Sequence, residues 1–305
     1  MKIFITGGAG FIGSHLAALL SKSGHSVCVF DNYSASDYNY LQDTNCKQVV
    51  GDILDSESLI EAAKDHELII HLAAKGNVIE SVASPVSNFQ VNVIGTINVL
   101  EACRKNKIKK IIFSSTGGAL MGDTLPPVHE DSIPNPISPY GSSKLCAETY
   151  IKSYSKCYDI KYTIFRFGNV LGTNSIHKMG VINAFYKKLK HGNEIDIYGK
   201  VSRDFIYVFD LVNAIKKSIS IKAAENEIFH LASGKEVTIE QLAKSMIEIM
   251  NAPKNCIKYN ARRVGEVERN FANIQKAEQI IGFSNTKEIN MILHEVINYF
   301  KINNY

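Results

Sequence analysis

The chain has 305 residues, 45% hydrophobic and 21% charged, enough for one large or two modest domains with an ample core. Its net charge of +4 carries only short basic clusters, such as residues 104–110, which read as a solvated helix end and exclude a nucleic-acid-binding face. Six scattered cysteines (28, 46, 103, 146, 157 and 256) form no C-x-x-C pair, His66, Glu67 and His71 lack metal-motif spacing, and no apolar run reaches the ~18 residues of a membrane span. No metal, disulfide framework or membrane association is expected, and reduced thiols fit a cytoplasmic protein.

The opening residues run straight into a glycine turn, so no signal peptide is expected. In the first half, compact apolar or β-branched runs at 2–5, 26–30, 48–50, 68–72, 110–114 and 162–165 predict strands. Helical patterns lie between them at 11–23, 56–64, 87–105 and 140–156, the first stopping at Gly24. Repeated strand–helix–strand units with continuous apolar strands imply a parallel sheet covered on both faces, the doubly wound α/β architecture. After residue 168 the rhythm loosens. Helices are predicted at 180–191, 210–221, 273–281 and 286–300, and a strand at 194–198. Thr238 and Gln241 make a capping box that opens a helix over 239–250. The expected division is a domain over 1–168, with a return segment near 203–230, and a smaller substrate domain over 169–305.

Thr6-Gly7-Gly8-Ala9-Gly10-Phe11-Ile12-Gly13 joins the first strand to the first helix. Glycines there let backbone amides and the helix start approach a pyrophosphate, so Gly7, Gly10, Phe11, Ile12 and Gly13 are candidate dinucleotide contacts. Asp31 ends the second strand, where a carboxylate can take both hydroxyls of an adenosine ribose and would repel a 2′-phosphate. This favours NAD over NADP, with Asn32 beside it. Asp52, followed by Ile53, either meets the adenine edge or serves as a helix N-terminal carboxylate.

Tyr140 and Lys144 stand four residues apart on one helix face. A phenol with its ordinary pKa near ~10 is a poor base. A neighbouring ammonium and a positive nicotinamide would both favour the phenolate. The strand ending in Ser114-Ser115-Thr116 offers hydroxyls at the carboxyl edge of the sheet, where ligands of this architecture bind.

Together TGGAGFIGSH, GDI, HLAA followed by ESV, NVIGTINVLEA, FSST, SPYGSSK, RFGNVLG, SRDFIYVFD and RRVGEVERN resemble the extended short-chain dehydrogenase/reductase family, within it the NAD-dependent nucleotide-sugar epimerase/dehydratases. The resemblance spans nearly the whole chain. It implies a Rossmann-type doubly wound parallel sheet with a smaller α/β C-terminal substrate-binding domain. It implies that Tyr140 removes the sugar 4-hydroxyl proton, that Lys144 holds the nicotinamide ribose, and that Thr116 bonds the same oxygen. Leu72, Ala73, Ala74, Ser114 and Asn92 fall at cofactor positions, although local backbone capping serves Asn92 equally well.

On the substrate side the resemblance places Asn169, Arg203 and Arg263 at a diphosphate, Glu266 at ribose hydroxyls and Tyr198 beside uracil. For Tyr198 an ordinary strand aromatic is an even alternative. Val181 and Ile182 lie near the base-binding stretch, where core packing is the simpler role. By the same resemblance Asn270 falls where the epimerases place a residue over the sugar, and it is intermediate in size between residues that restrict the site to glucose and galactose and those that admit N-acetyl sugars. The expected activity is therefore 4-epimerisation of UDP-glucose and UDP-galactose, with tolerance for the acetamido pair. Two stretches depart from the family pattern: Leu120-Met121-Gly122 loses a common tyrosine, and Asn174, Ser175, Ile176, His177, Lys178 and Met179 differ from the familiar sequences.

A 4,6-dehydratase of the family carries an Asp-Glu pair after the threonine, where this chain has Gly117-Gly118. A uronate epimerase or decarboxylase needs a carboxylate-binding group that the sequence does not identify, and a UDP-uronate or UDP-N-acetylglucosamine 4-epimerase stays the runner-up among enzymes. A non-catalytic NAD-binding regulator is the alternative of another class, and such proteins commonly lose the Tyr/Lys pair retained here. The family often forms homodimers through two helices per subunit. The corresponding helices here are 87–105 and 140–156, with Cys103, Cys157 and Tyr154 expected on their outer faces.

Overall fold

A computed structural model describes the chain except residues 36, 37, 179 and 264. Met179 of the atypical 174–179 stretch and Val264 of the RRVGEVERN run thus lie outside the described residues. The first half lays down β1 (Lys2–Thr6), α1 (Phe11–Lys22), β2 (Ser26–Asp31), β3 (Lys47–Val50), α2 (Ser56–Ala62), β4 (Leu68–His71), α3 (Val78–Ala83), α4 (Pro85–Phe89), α5 (Gly95–Lys105), β5 (Lys110–Thr116), α6 (Gly118–Met121), α7 (Pro139–Tyr158) and β6 (Lys161–Phe167). β7 (Asn169–Leu171), α8 (Val181–Lys190), β8 (Ile195–Tyr198), β9 (Ser202–Arg203), β10 (Phe205–Tyr207) and α9 (Val208–Ser218) follow. The chain continues through β11 (Glu227–Leu231), β12 (Val237–Thr238), α10 (Ile239–Met250), β13 (Ile257–Asn260), α11 (Gln275–Ile281) and α12 (Ile289–Ile302).

Seven strands form one sheet in the order β11-β6-β5-β4-β1-β2-β3, every pair parallel. The order reverses direction at β1, and that switch point opens the crevice where this architecture holds its ligand. Alternation along each strand feeds two cores. Ile3, Ile5, Val29 and Ile70 face α1 and α9, packing on Leu16, Leu20, Leu211 and Ile215. Phe4, Phe30, Ile69 and Phe113 face the other way, onto Leu59, Val99, Leu100 and Ile151 of α2, α5 and α7. Strands buried on both faces need the continuous apolar runs seen in the sequence.

The first core continues without interruption into the C-terminal part, through Phe185, Leu242, Met246, Leu293 and Phe300. Three small pairs position that part: β7 with β10, β8 with β13, and β9 with β12. β11 closes the main sheet on β6, in a return segment where the sequence pattern gave no strand. The capping box is present, with Thr238 and Gln241 each bonding the other's backbone N–H.

Two expectations about helices need correction. The predicted helix 87–105 starts earlier and is interrupted: α4 and α5 flank a π turn over Gln90–Ile94, with i→i+5 spacing. Cys103 is fully buried in the α5 core rather than on an outer face, and Tyr154 is half-buried, its hydroxyl donating to Glu101 Oε1 at 2.8 Å. The outer apolar residues are instead Val86, Phe89 and Ile94, with Tyr150 on α7.

One buried carboxylate ties three segments of the C-terminal part together. Asp204, between β9 and β10, accepts from Ser233 N (2.7 Å) and Ser233 Oγ (2.5 Å) on one oxygen. Its other oxygen accepts from Gly234 N (3.0 Å) and Ala272 N (3.2 Å). Asp204→Ala would leave buried donors without acceptors, so the unfolding free energy should fall by roughly 3 kcal/mol in urea titration. An unchanged midpoint would deny the clamp.

Candidate active site

The carboxyl ends of the parallel strands open into a cleft of ≈ 1370 Å³, larger than one small ligand requires. Its floor is the loop between β1 and α1. Gly7 has a φ of +70°, and a Cβ there would lie 2.6 Å from Ala73 N; a Cβ on Gly13 would lie 2.2 Å from Gly7 O. Glycine at both positions lets the loop close against α1, with Gly7, Gly10, Phe11, Ile12 and Gly13 all lining the cleft. Gly10 caps α1 without any side-chain acceptor, so the helix's first amides remain for an anion.

Asp31 is oriented by two backbone amides, Ala9 N at 2.9 Å and Tyr33 N at 2.8 Å, and borders the same cleft. Asn32 Nδ2 donates to Asp52 Oδ2 at 2.9 Å, and Leu54 N to Asp52 Oδ1 at 2.9 Å. The cap of α2 is Asp55, accepting from Ser58 N at 3.1 Å, so Asp52 is left to the cleft wall with Ile53. Leu72, Ala73, Ala74 and Ser114 line the cleft as well. This cradle fits NAD: uncapped helix amides below and a carboxylate with oriented oxygens at the ribose end.

Asn92 departs from its expected place. It is buried away from the cleft, its Oδ1 accepting from Lys75 N (2.8 Å) and its Nδ2 donating to Lys75 O (3.1 Å) and Ser143 Oγ (3.0 Å). The local capping alternative is the one its hydrogen bonds match, and its amide acts on the 72–77 loop rather than on a ligand.

Ser138 caps α7 through Gly141 N at 3.2 Å, and Pro139 sits in the first turn. That start places Tyr140 at the cleft, which Thr116 of β5 also lines. Lys144, one turn on, donates to Ser114 O at 2.8 Å and lies 4.6 Å from the centre of the Phe113 ring. Burial pushes the Tyr140 phenol up to about 12, against a smaller downward pull from Thr116. Burial also pulls the Lys144 ammonium down to about 7, opposed by the charge of Glu148. In the protein alone, burial thus outweighs the expected lowering of the phenol by its lysine neighbour.

Glu148 sits one further turn along α7, and sequence reasoning passed it over. Its carboxylate pairs with Arg166 of β6 at 2.8 Å and accepts from Ser115 Oγ at 2.6 Å, all three groups buried. The signal was present, because residues 140, 144 and 148 share one helix face. Gly117 and Gly118 follow Thr116 in tight quarters. A Cβ on Gly117 would stand 3.3 Å from His230 Nδ1, and one on Gly118 3.2 Å from Asn270 Oδ1.

The opposite wall carries Asn169, Val181, Tyr198, Arg203, Arg263, Glu266 and Asn270. Arg203 and Glu266, expected at separate ends of a ligand, pair with each other at 3.0 Å. Arg203 also donates to the carbonyls of Ser202 and Val267, both at 2.7 Å, so much of its fork is spent on the protein. The Arg263 guanidinium stacks on Tyr198 at 3.7 Å from the ring centre. Asn169 Nδ2 donates to Asp204 O at 3.3 Å. Among the described residues, Glu266 Oε2 and Asn270 Nδ2 are buried polar atoms with no protein partner. Unsatisfied acceptor and donor atoms facing one cleft mark where a polar ligand completes the wall.

The sequence model of the NAD dependent epimerase/dehydratase family matches residues 3–232. A putative UDP-glucose 4-epimerase of Methanocaldococcus jannaschii is 38% identical over 309 residues, covering 99% of each chain. A crystal structure of UDP-glucose 4-epimerase from Thermotoga maritima with UDP-glucose is 34% identical, covers 100% of both chains and superposes with a TM-score of 0.94. A UDP-N-acetylglucosamine 4-epimerase from Methanobrevibacter ruminantium, in complex with UDP-N-acetylmuramic acid, is 30% identical, covering 99% of this chain and 98% of that one, with a TM-score of 0.90. The chain belongs to the NAD dependent epimerase/dehydratase family. Its cofactor is NAD.

Because Lys144 is pulled down to about 7 by burial, its ammonium is present below that pH and lost above it. A ligand that bonds the ammonium should bind more weakly as pH rises through that value. Dissociation constants of NAD for cofactor-stripped protein should show this slope, and Lys144→Met should flatten it. A wild-type curve as flat as the variant's would separate Lys144 from cofactor binding.

Proposed function

We propose that this protein is a nucleotide-sugar 4-epimerase that interconverts UDP-glucose and UDP-galactose, accepts the N-acetyl pair, and keeps its NAD between turnovers. The observation that carries the reading is one juxtaposition. Tyr140 and Thr116, with Lys144 one turn beyond the tyrosine, line the same cleft as Arg263, Arg203 and Glu266. Proton-moving groups and anion-binding groups therefore meet a single ligand.

In this reading Tyr140 takes the proton of the sugar 4-hydroxyl, and Thr116 bonds the same oxygen and can pass the proton on. NAD, when bound, supplies hydride acceptance and return at C4. Lys144 holds the nicotinamide ribose, with Asp31 and the glycine loop at the other end of the dinucleotide. Arg263, Asn169 and the free edge of Arg203 take the diphosphate, Glu266 Oε2 the ribose hydroxyls, and Tyr198 the uracil. Residues 1–168, with the return segment 203–230, hold the cofactor, and 169–305 the substrate.

Dehydratase chemistry finds no support at residues 117 and 118, since His230 and Asn270 crowd the space two acidic side chains would need. The N-acetyl pair is supported by the buried, unpartnered Nδ2 of Asn270, a donor suited to an acetamido carbonyl. The names of the similar proteins from M. jannaschii, T. maritima and M. ruminantium, as 4-epimerases of UDP-sugars, point the same way. The exposed row Val86, Phe89 and Ile94 with Tyr150 supports a homodimer through the two outer helices. Six free thiols suit a reducing cytoplasm.

Purified protein should convert UDP-glucose to UDP-galactose without added NAD, with products resolved by chromatography. Negligible turnover of both these sugars and their N-acetyl counterparts would overturn the assignment. Tyr140→Phe should lose roughly 10²–10⁴-fold of that activity while retaining its NAD. Wild-type activity in that variant would instead favour a non-catalytic NAD-binding regulator.

A further inference from the structure

Glu148 continues the α7 face that carries Tyr140 and Lys144, and the reaction proposed above gives it no part. Lys144, Glu148, Arg166 and Ser115 are all buried, so their charges and dipoles act on one another with little water between them.

The carboxylate joins the helix to two strands. Its Oε1 accepts from Ser115 Oγ at 2.6 Å and from Arg166 Nε at 3.1 Å, and its Oε2 from Arg166 Nη2 at 2.8 Å. Ser115 and Arg166 face each other in the register of β5 on β6, so the two donors reach Glu148 side by side. Ser115 lies between the two residues of β5 that the reaction uses. Ser114 O accepts from Lys144 Nζ at 2.8 Å, Ser114 Oγ donates to His71 O at 3.1 Å, and Thr116 lines the cleft. Fixing Ser115 therefore fixes both the carbonyl that holds the lysine and the strand end that bears the threonine.

The charges around Lys144 give the carboxylate a second role. Lys144 precedes Glu148 by one helical turn, a separation of about 5–6 Å. On the strand side it meets Ser114 O and the Phe113 ring, both uncharged. His71 of β4 is held neutral, pulled down to about 3 by burial and then by the charge of Lys144. Tyr140 is held as a phenol, and Asn92, reaching Ser143 Oγ from the π turn at 3.0 Å, carries no charge. On the helices against α7, Glu80 pairs with Lys75 and Glu101 with Arg104, each partly open to solvent. The charge that supports the ammonium comes from Glu148. His230, beside Arg166 in the register of β11, is pulled down to about 3 by burial and then by Arg166, so it stays neutral and leaves the ion pair intact.

We propose that Glu148 is a positioning residue: braced by Arg166 and Ser115, it keeps Lys144 an ammonium on Ser114 O and holds the end of β5 for Thr116. The inference rests on the reading of Lys144 as the residue that holds the nicotinamide ribose.

The test follows release of NAD from loaded full-length protein into excess labelled NAD, from about pH 5 to 9, with thermal unfolding as the check on folding. Loss of the ammonium should speed release, so the wild-type rate should rise through a midpoint. Removing a negative charge makes the ammonium easier to lose. Glu148→Gln should therefore move the midpoint down by about one pH unit. Because that variant leaves Arg166 unpaired, Glu148→Gln is also combined with Arg166→Met, and the midpoint should again fall, by less. Glu148→Asp keeps the charge and should hold the wild-type midpoint. Above the midpoint, a shift of about one unit leaves about tenfold less ammonium, and kcat for UDP-glucose should fall about tenfold with KM little changed.

Faster release at every pH with an unmoved midpoint would make Glu148 merely structural and overturn the proposal. So would a shift in Glu148→Asp as large as in Glu148→Gln, or one absent from the double variant. A wild-type rate that is flat with pH would overturn it together with the ribose role of Lys144. Protein that turns over no UDP-sugar would overturn the nucleotide-sugar reading alone, since the release midpoints are measured without substrate.

Discussion

The buried pair of Glu148 and Arg166 is the interaction on which the catalytic geometry hangs. Both side chains are almost fully excluded from solvent, at 1% and 3% exposure, so each charge has lost its water and depends on the other. Removing one partner from such a pair typically costs ~3–5 kcal/mol, because the survivor is left buried and unpaired. Its placement matters more than its strength. Glu148 belongs to the helix that bears Tyr140 and Lys144. Arg166 belongs to β6, and Ser115, hydrogen-bonded to the same carboxylate, precedes Thr116 on β5. Arg166 also reaches Glu130 O at 3.0 Å, drawing in the segment after α6. One ion pair thereby fixes the distance between the helix that supplies the phenol and the strand that supplies the threonine.

The charge state of the site follows from the same burial. In the protein alone Tyr140 is held as a phenol and Lys144 lies close to losing its proton, so the pair is not pre-charged for base catalysis. Glu148 is the negative group that keeps Lys144 from falling further, and it is itself neutralised by Arg166. An oxidised nicotinamide bound beside the phenol would add a positive charge there and favour the phenolate.

Most of the sheet was legible in the sequence because its central strands are buried on both faces, so short apolar runs stood out from their surroundings. β11 was missed since Glu227–Leu231 mixes a half-exposed glutamate and a buried histidine with only three apolar residues. Its place in the sheet is set by pairing with β6 rather than by its own pattern. The cofactor half of the site was legible for a related reason: a glycine loop and a strand-end aspartate announce themselves at fixed spacings. The substrate half depended on contacts no spacing encodes. Nothing in the sequence says that Arg203 turns to Glu266 and two carbonyls, or that Arg263 stacks on Tyr198. Asn92 shows the limit most clearly, since the motif that marked it as a cofactor residue marks equally a residue that ties Lys75 and Ser143 together.

The π turn that carries Asn92 has a consequence for how the fold tolerates change in length. Each residue of an α-helix turns the chain by about 100°, so a wide turn shifts the phase of all that precedes it relative to all that follows. Loss of one residue from Gln90–Ile94 would restore regular helix and shorten it by ~1.5 Å. The same deletion would swing α4 away from α7 or carry the Asn92 amide off the Lys75 backbone, since both contacts cannot survive the change of phase. A helix that reads as an interchangeable surface element is therefore locked in length. In this region insertions and deletions fit only outside the span from Pro85 to Lys105.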